Sequence, residues 1–460
     1  MAYTTVLEAV AARRAGSSPV PSTIWLSFLM RYLAKRAQSQ RAKINLLRRG
    51  RSILADYLHN GVLRKAPLLL ACLGAFNLPH PVLARDSPWD PDELRREPAI
   101  EWGPKTDYPG YELQRLYYSN VAYEGRPTRV FTYLARPRGM TGRAPGIVLV
   151  HGGAGKAFPE WAAQWAGFGY FALAMDLDGR DDKGSHLADG GPATGNGSII
   201  TDLATGSIRD MWPYQAVAAA TRAVTILTND PDVDSDQVGI LGISWGSCAA
   251  GVVASLDHRV AFAILAYGCG FLQENSSYRE LLATMPESAR LSWINNFDQS
   301  SYLARLKAPV LWLAGTNDHF FYLDGLTKSQ AMTNARTTTL RVLPNWHHGY
   351  ETVWQTRECR MFADQITRRS EGLDRVTGAG KTADQIWANY DGPAPIIRAE
   401  LEYTSGAGAW ETRTWGMRPA TIDAAAAKVS AEVPSGTTAA FLNITDSRGA
   451  VTSGPCWIAN

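Results

Sequence analysis

A single serine stands between two glycines in the segment GISWGS, which directly follows an apolar run. Gly242, Ser244 and Gly246 match the pattern G-x-S-x-G, in which a nucleophilic serine occupies a sharp strand-to-helix turn. Small residues on both sides let the backbone turn tightly enough to expose the hydroxyl group. Glycine and serine are common in turns, so a purely structural serine is the alternative. The apolar run before the turn favours the nucleophile.

A serine nucleophile needs an acid and a histidine, which follow it in that order along the chain. Asp318 lies 74 residues after Ser244 in the segment GTNDHF, and His348 lies 30 residues further on in NWHHGY. We expect His348 to accept the serine proton and Asp318 to orient and stabilise the imidazole ring. His347 is the rival base, and we prefer His348 because the small residue Gly349 follows it.

Attack of the serine on a carbonyl group creates an oxyanion, which two backbone N–H groups can stabilise. Trp245 follows the nucleophile and is expected to supply one of them. The segment HGGAGK, residues 151–156, follows another apolar run, and we expect Gly153 to supply the second. Glycine lets the main chain approach a ligand closely at this place. The segment is not a phosphate-binding loop, because the spacing G-x-x-x-x-G-K-[ST] is absent.

Tryptophans are frequent in the segments around these residues, and tryptophan faces can stack on sugar rings. We therefore predict that Trp212 and Trp346 contact a substrate, the alternative being that they belong to the core. Arg209 is a candidate for binding an acidic group of the substrate. A local ion pair with the adjacent Asp210 is an equal alternative.

No motif indicates a metal or a cofactor, and we expect neither. Asp176, Asp178, Asp181 and Asp182 form an acidic cluster that invites comparison with calcium sites. Their spacing does not match an EF-hand loop. The cysteines and histidines also lack the Cys-x-x-Cys or Cys/His spacing of zinc sites.

Apolar runs alternate with amphipathic stretches between residues 129 and 369, which is typical of a doubly wound parallel sheet. Strands are predicted at 129–137, 146–150, 170–177, 237–243, 260–267, 308–316 and 339–344. Helices are predicted at 158–169, at 213–231, from 245 onward and near 357–369. Because the carboxyl ends of parallel strands meet at one edge, Ser244, Asp318 and His348 are expected to converge there.

Changes in composition divide the chain into segments. We predict a catalytic domain over residues 85–370, with a Gly- and Asp-rich insert at 178–212 that overhangs the site as a cap or a disordered loop. After residue 370, short alternating stretches with Ser-Gly and Arg-Gly turns predict a small β-sandwich over 371–460. The Gly-rich stretch 374–384 is interpreted as the linker between the two domains.

The beginning of the chain differs in charge from the rest. Residues 1–65 contain 12 Lys and Arg against two acids, whereas residues 85–460 carry a net charge of −7, which argues against a nucleic-acid partner. Residues 62–84 have the pattern of a signal peptide, with an apolar core of about 11 residues where a membrane span needs about 20. We expect a secreted or periplasmic protein with no stable membrane span, and residues 1–61 upstream of the true start. A basic extension on a cytosolic protein is the alternative.

Outside the predicted signal peptide the chain contains four cysteines, Cys248, Cys269, Cys359 and Cys456. An oxidising compartment would allow three disulfide pairings among them. The sequence does not choose among these pairings.

The segments VLVHGGAGKAF, GISWGS, WLAGTNDHF and HHGY together resemble the α/β-hydrolase superfamily, and within it the secreted bacterial acetylxylan esterases and dienelactone hydrolases. This resemblance spans residues 120–370. It implies a doubly wound, mostly parallel sheet and a serine carboxylic-ester hydrolase that acts on a small ester or an acylated carbohydrate through an acyl-Ser244 intermediate. Dienelactone hydrolases proper use a cysteine nucleophile, where this chain has serine. Two alternatives stay open: a serine peptidase or amidase with the same triad, and a non-catalytic binding protein on a hydrolase scaffold.

Overall fold

The computed structural model describes residues 87–459, apart from residues 195–198, 202–205, 335, 369 and 383. The basic extension and the signal peptide predicted for residues 1–84 lie outside the described residues. Within the described part of the chain, no helix combines the length and the apolar character needed to cross a membrane.

A nine-stranded sheet lies at the centre of the described part of the chain. Its strands are β1 (Ile100–Tyr108), β2 (Tyr111–Ser119), β3 (Arg129–Pro137), β4 (Ala144–Val150), β5 (Phe171–Met175), β6 (Val233–Ile243), β7 (Phe262–Ala266), β8 (Val310–Gly315) and β9 (Thr338–Leu343). They are ordered β1-β2-β3-β5-β4-β6-β7-β8-β9. The three pairs from β1 to β5 are antiparallel, and the five pairs from β5 to β9 are parallel. The predicted mostly parallel α/β sheet is confirmed.

Helices connect and cover these strands. They are α1 (Pro91–Leu94), α2 (Pro159–Gly167), α3 (Trp212–Asn229), α4 (Trp245–Leu256), α5 (Arg279–Ala283), α6 (Glu287–Phe297), α7 (Leu323–Ala331), α8 (Tyr350–Gln355) and α9 (Arg357–Arg368). Alternate residues of β4 point to opposite faces of the sheet, as the pleat of a strand requires. Val148 and Val150 pack in the apolar core that contains α3 and α4, whereas Ile147 and Leu149 pack in the core that contains α2 and α9.

The residues after α9 form two small antiparallel sheets, which we call the C-terminal module (residues 373–459). Its strands are β10 (Arg375–Lys381), β11 (Gln385–Asp391), β12 (Ile396–Thr404), β13 (Gly416–Pro419), β14 (Thr421–Asp423), β15 (Lys428–Glu432), β16 (Ala439–Asp446), β17 (Val451–Ser453) and β18 (Trp457–Ile458). One sheet has the order β10-β11-β15-β14, and the other has β13-β12-β16-β17, with β18 also paired to β16. Ile386 and Val429 of the first sheet share an apolar core with Leu401 and Leu442 of the second. The predicted small β-sandwich is therefore present.

The predicted linker at residues 374–384 is wrong, because most of this stretch is strand β10 and pairs with β11. Packing accounts for one of its glycines. A Cβ atom on Gly380 would lie 2.7 Å from the Trp387 indole, which is closer than real Cβ contacts come. The close approach of this ring requires a residue without a side chain. Sequence patterns also predicted no strands where the hairpin of β1 and β2 forms. Most residues of β1 are exposed and lack the apolar alternation that predicts a strand.

The four cysteines of the described region, Cys248, Cys269, Cys359 and Cys456, are all buried, and none of them forms a disulfide. Burial raises the pKa of each thiol. They therefore pack as small apolar side chains.

One buried carboxyl group makes the stability of the C-terminal module sensitive to pH. Glu402 on β12 is 6% exposed, and Asn443 donates a long hydrogen bond of 3.5 Å to it. Burial and the negative charge of Glu400 raise the pKa of Glu402 to about 7, against the opposing charges of Arg341 and Arg398. The folded protein therefore binds this proton more tightly than the unfolded chain does.

Because its pKa is raised on folding, Glu402 stabilises the fold fully below pH 4.5 and loses that contribution as the pH rises through about 7. The free energy of unfolding of the wild type should fall between pH 5 and pH 8. We expect it to fall less in Glu402→Gln, which cannot ionise, and the difference between the two falls should be on the order of 1–3 kcal/mol. Urea denaturation at the two pH values measures this difference. Glu432→Gln, at an exposed position of β15, is the control and should follow the wild type. The same pH dependence in Glu402→Gln and in the wild type would contradict the prediction.

Candidate active site

Ser244 alone forms the turn between β6, which ends at Ile243, and α4, which begins at Trp245. Its φ of 61° and ψ of −128° are a conformation that non-glycine residues rarely adopt. The Ser244 N–H donates a 2.8 Å hydrogen bond to the carbonyl oxygen of Ala266, at the end of β7. The strained residue is thus held against the sheet in the geometry expected of a nucleophile.

The glycines on either side of the serine are required by backbone contacts. A Cβ atom on Gly242 would lie 2.2 Å from the carbonyl oxygen of Gly246. A Cβ atom on Gly246 would lie 2.2 Å from the carbonyl oxygen of Val150, at the end of β4. Neither position has room for any side chain, because the first turn of α4 passes directly over the end of β4.

Asp318 and His348 meet at the carboxyl edge of the sheet, after β8 and β9. The Nδ1 atom of His348 lies 2.7 Å from Oδ2 of Asp318, which is a buried carboxylate. The other carboxylate oxygen accepts hydrogen bonds from the N–H groups of Phe320 at 2.7 Å and Phe321 at 2.9 Å. Asp318 is therefore held in place, and the bond to Nδ1 assigns the tautomer in which Nε2 of His348 is the free acceptor.

His347, the rival base, is exposed, and its Nδ1 atom lies 3.2 Å from the carbonyl oxygen of Asn317. The carboxylate that orients a catalytic histidine lies beside His348 instead.

Aromatic rings link the serine turn to His348. The ring centroids of Trp245 and Phe321 are 5.6 Å apart, and those of Phe321 and His348 are 6.1 Å apart. Tyr267, which follows β7, lies 5.2 Å from the imidazole on another side. Ser244 and His348 therefore occupy the same edge of the sheet, although no hydrogen bond joins the serine hydroxyl to the histidine within the described residues.

The two predicted oxyanion donors are neighbours. A Cβ atom on Gly153 would lie 3.3 Å from Cδ1 of Trp245, and one on Gly152 would lie 3.1 Å from the hydroxyl oxygen of Ser244. The backbone N–H groups of Gly153 and Trp245 donate no hydrogen bond to any described residue. Two unused N–H groups beside the serine are what a developing oxyanion needs.

Two hydroxyl groups that the sequence did not reveal hold the oxyanion loop (residues 151–156). The Tyr350 hydroxyl accepts the N–H of Gly152 at 2.9 Å, and the Thr194 hydroxyl accepts the N–H of Ala154 at 2.9 Å. Thr194 belongs to the predicted insert, so the insert contacts this loop. No sequence pattern marks either hydroxyl, because both contacts join segments that are far apart in the chain.

His151 and the first acids of the insert have structural roles around this loop. The imidazole of His151 is within 2.6 Å of the Gly152 carbonyl oxygen through Nδ1 and accepts the N–H of Leu177 at 2.7 Å through Nε2. Asp176 accepts the N–H groups of Asp178 and Arg180, and burial raises its pKa. In the described part of the chain, no three His, Cys, Asp or Glu side chains are grouped as metal ligands.

The three residues predicted to contact a substrate, Trp212, Arg209 and Trp346, lie in different surroundings. Trp212 is 1% exposed and donates its indole N–H to the carbonyl oxygen of Leu177, so it is a core residue and not a substrate contact. Arg209 binds both carboxylate oxygens of Glu93 at 2.8 Å, so its ion-pair partner is not the adjacent Asp210. Trp346 is half-buried beside the two histidines and stays a candidate.

The model of the dienelactone hydrolase family matches residues 130–362, which is more than half of the chain and includes all three predicted triad residues. No curated protein sequence matches the chain.

Solved structures of similar fold include several esterases. An acetyl xylan esterase from Thermoanaerobacterium sp. is 22% identical, with 57% of this chain and 90% of that chain covered and a TM-score of 0.47. One from Paenibacillus sp. is 19% identical, with 60% and 92% covered and a TM-score of 0.49. A glucuronoyl esterase from Teredinibacter turnerae is 16% identical, with 60% and 79% covered and a TM-score of 0.43.

The Tyr350 hydroxyl provides a test of the oxyanion loop. We expect Tyr350→Phe to lower kcat for hydrolysis of p-nitrophenyl acetate by about three- to tenfold with little change in KM, because the Gly152 N–H loses its acceptor and the loop shifts. Tyr302→Phe is the matched control, since it removes a tyrosine hydroxyl that bonds to the Asn296 carbonyl oxygen at 2.8 Å and not to the loop. Equal kcat values for the two variants would show that Tyr350 does not support the loop.

Proposed function

The chain belongs to the dienelactone hydrolase family and is a hydrolase, and from that premise we propose that it is a serine carboxylic-ester hydrolase that removes short acyl groups, above all acetyl, from an acylated carbohydrate or a similar ester. The observation that carries the proposal is the 2.7 Å hydrogen bond between Asp318 and His348. It forms at the same edge of the sheet where Ser244 occupies its strained turn.

In the proposed mechanism the Ser244 oxygen attacks the ester carbonyl carbon while Nε2 of His348 accepts the serine proton. Asp318 stabilises the imidazolium through Nδ1, and the N–H groups of Trp245 and Gly153 bind the oxyanion. Collapse of the tetrahedral intermediate transfers the proton to the departing alcohol and leaves an acyl-serine. His348 then deprotonates water, which attacks the acyl-serine, and returns that proton to the Ser244 oxygen as the carboxylic acid departs.

Packing around the serine supports a short acyl group. Trp245 is 5% exposed, and its indole N–H donates to the Tyr278 hydroxyl at 2.9 Å. The Tyr278 ring stacks on Phe320 at 6.2 Å. These aromatic side chains already contact one another beside the nucleophile, so a long acyl chain would have to displace them. For the alcohol part, the half-buried ring of Trp346 is a candidate face for a sugar.

Removal of the serine hydroxyl tests the nucleophile. We expect Ser244→Ala to lower kcat on p-nitrophenyl acetate by about 10⁴-fold or more, because the covalent step is lost. Ser255→Ala is the matched control, since it removes a buried hydroxyl from the same helix, where that hydroxyl only bonds to the Gly251 carbonyl oxygen. Retention of activity in folded Ser244→Ala would refute the serine mechanism, whereas activity should persist in Ser255→Ala.

A substrate series tests the acyl and alcohol parts. We expect kcat/KM to fall by about tenfold or more from p-nitrophenyl acetate to the octanoate, because the packed aromatic side chains discriminate by size. Acetylated xylan should release acetic acid, and acetyl p-nitroanilide should be cleaved far more slowly than the ester. Faster cleavage of the anilide would favour the amidase alternative, and a preference for long esters would exclude a deacetylase.

A further inference from the structure

The C-terminal module extends a short segment to the edge of the sheet that carries the proposed site. This segment, the docking turn (residues 409–415), contains a single 3₁₀ turn at Trp410–Thr412. Trp410 and Trp415 are buried in the apolar core that contains α4 and α7, and not in the core between the two small sheets. The docking turn therefore packs as part of the catalytic domain.

Contacts within the docking turn hold its shape. The Arg413 guanidinium lies 3.6 Å from the ring centroid of Trp410, and its Nε donates to the Gly408 carbonyl oxygen at 2.9 Å. The N–H of Trp415 lies 3.4 Å from the side-chain oxygen of Asn345, which precedes the two histidines by two residues. The backbone of the docking turn is thus held by contacts that do not involve Asp318 or His348.

The side chain of Asn317, the residue before Asp318, binds this turn. Its Nδ2 donates to the carbonyl oxygens of Arg413 at 2.7 Å and of Glu411 at 3.2 Å. Asn317 is 5% exposed, and its two partners, Glu411 and Arg413, are half-buried. A buried amide with both donors satisfied fixes the position of its own backbone strongly.

The other polar groups of Asn317 reach the segment that carries the histidines. Its N–H donates to the Trp346 carbonyl oxygen at 3.0 Å, and its own carbonyl oxygen is 3.2 Å from Nδ1 of His347. Its Oδ1 accepts the Thr316 hydroxyl at 2.7 Å, and that hydroxyl oxygen in turn accepts the N–H of Asn345 at 2.8 Å. Asn317 is therefore the residue at which the acid segment, the histidine segment and the docking turn are joined.

We propose that Asn317 is a positioning residue through which the C-terminal module sets the Asp318–His348 pair, so that the module is part of the catalytic unit and not a separable accessory domain. The proposal rests on the proposed function, since it assigns Asp318 and His348 their roles there. Without the Asn317 amide, the carbonyl oxygens of Glu411 and Arg413 lose a donor that is itself buried, and the segment before Asp318 is free to shift. A shift of this kind acts on the transition state and not on substrate binding.

Kinetics on the full chain test the proposal. We expect Asn317→Ala to lower kcat on p-nitrophenyl acetate by about 10- to 100-fold and to leave KM within about twofold, because a displacement of about 1 Å can cost 100-fold in rate. Asn317→Asp keeps the size and the Oδ1 acceptor but places an oxygen against the two carbonyl oxygens, and it should show the same loss. Either variant suffices if the other fails to fold.

Asn443→Ala is the matched control. Asn443 is equally buried, at 4% exposed, and joins β12 to Ser453 inside the C-terminal module, but it contacts neither catalytic segment. We expect it to lower the melting temperature as much as the Asn317 variants do while kcat stays within about twofold of the wild type. A kcat close to wild type in folded Asn317→Ala, or an equal loss in Asn443→Ala, would overturn the proposal.

A second measurement does not depend on the substrate. The proton between Nδ1 of His348 and Asp318 should give a downfield proton NMR resonance, which is assigned by its loss in Asp318→Asn. We expect this resonance to shift upfield or disappear in Asn317→Ala and to be unchanged in Asn443→Ala. An unchanged resonance in Asn317→Ala would overturn the positioning role even if the proposed esterase function failed, whereas an inactive wild type would count against the function alone.

Discussion

Close contact between backbone segments at the serine turn is the constraint on which the site depends. The position of a Cβ on Gly246 is 2.2 Å from the Val150 carbonyl oxygen, and that of a Cβ on Gly268 is 2.5 Å from the Ser244 carbonyl oxygen. The ends of β4, β6 and β7 can meet around the serine only because these positions carry no side chain. The strain of the positive φ at Ser244 is offset by the burial of the helix and strands that flank it.

Buried carboxylates organise the loops that leave this edge of the sheet. Asp318 uses one oxygen for two backbone N–H groups and the other for His348. Asp298 likewise accepts backbone N–H groups, those of Phe271 and Leu272 in the loop after β7 and that of Ser300. Each carboxylate satisfies several donors that an irregular loop would otherwise leave buried without partners. The two residues differ in one respect, since only Asp318 also contacts an imidazole ring.

The C-terminal module contacts the edge of the nine-stranded sheet as well as the segment before Asp318. Ser453 accepts the N–H of Val342 at 2.8 Å on β9, the last strand of the nine-stranded sheet. Glu358 of α9 accepts the N–H of Val451 at 2.9 Å. The first bond satisfies a backbone group on the edge strand of the large sheet, and the second satisfies one on β17, the edge strand of a small sheet; such edges would otherwise be open to pairing with another chain.

Local sequence patterns were sufficient to predict much of the fold. Continuous apolar runs predicted the strands from β3 to β9, because burial on both faces of a parallel sheet leaves such runs. Helical apolar spacing predicted the main helices. The order of Ser244, Asp318 and His348, each directly after such a run, predicted that they share one edge. These inferences depend only on neighbouring residues and on the rule that parallel strands end together.

Contacts between distant segments were decided only by the tertiary structure. Gly380 belongs to a strand and not to a linker because β10 pairs with β11. Trp212 is a buried core residue, and the Leu177 carbonyl oxygen accepts its indole N–H. Tyr350 and Asn317 carry no sequence signature, since an ordinary hydroxyl or amide becomes important only through the backbone groups that folding brings to it. Sequence determined which segments form strands, helices and the turns between them. The fold decided which buried donors of one segment pair with which acceptors of another. Hydrogen-bond partners depend on position in space and not on spacing along the chain.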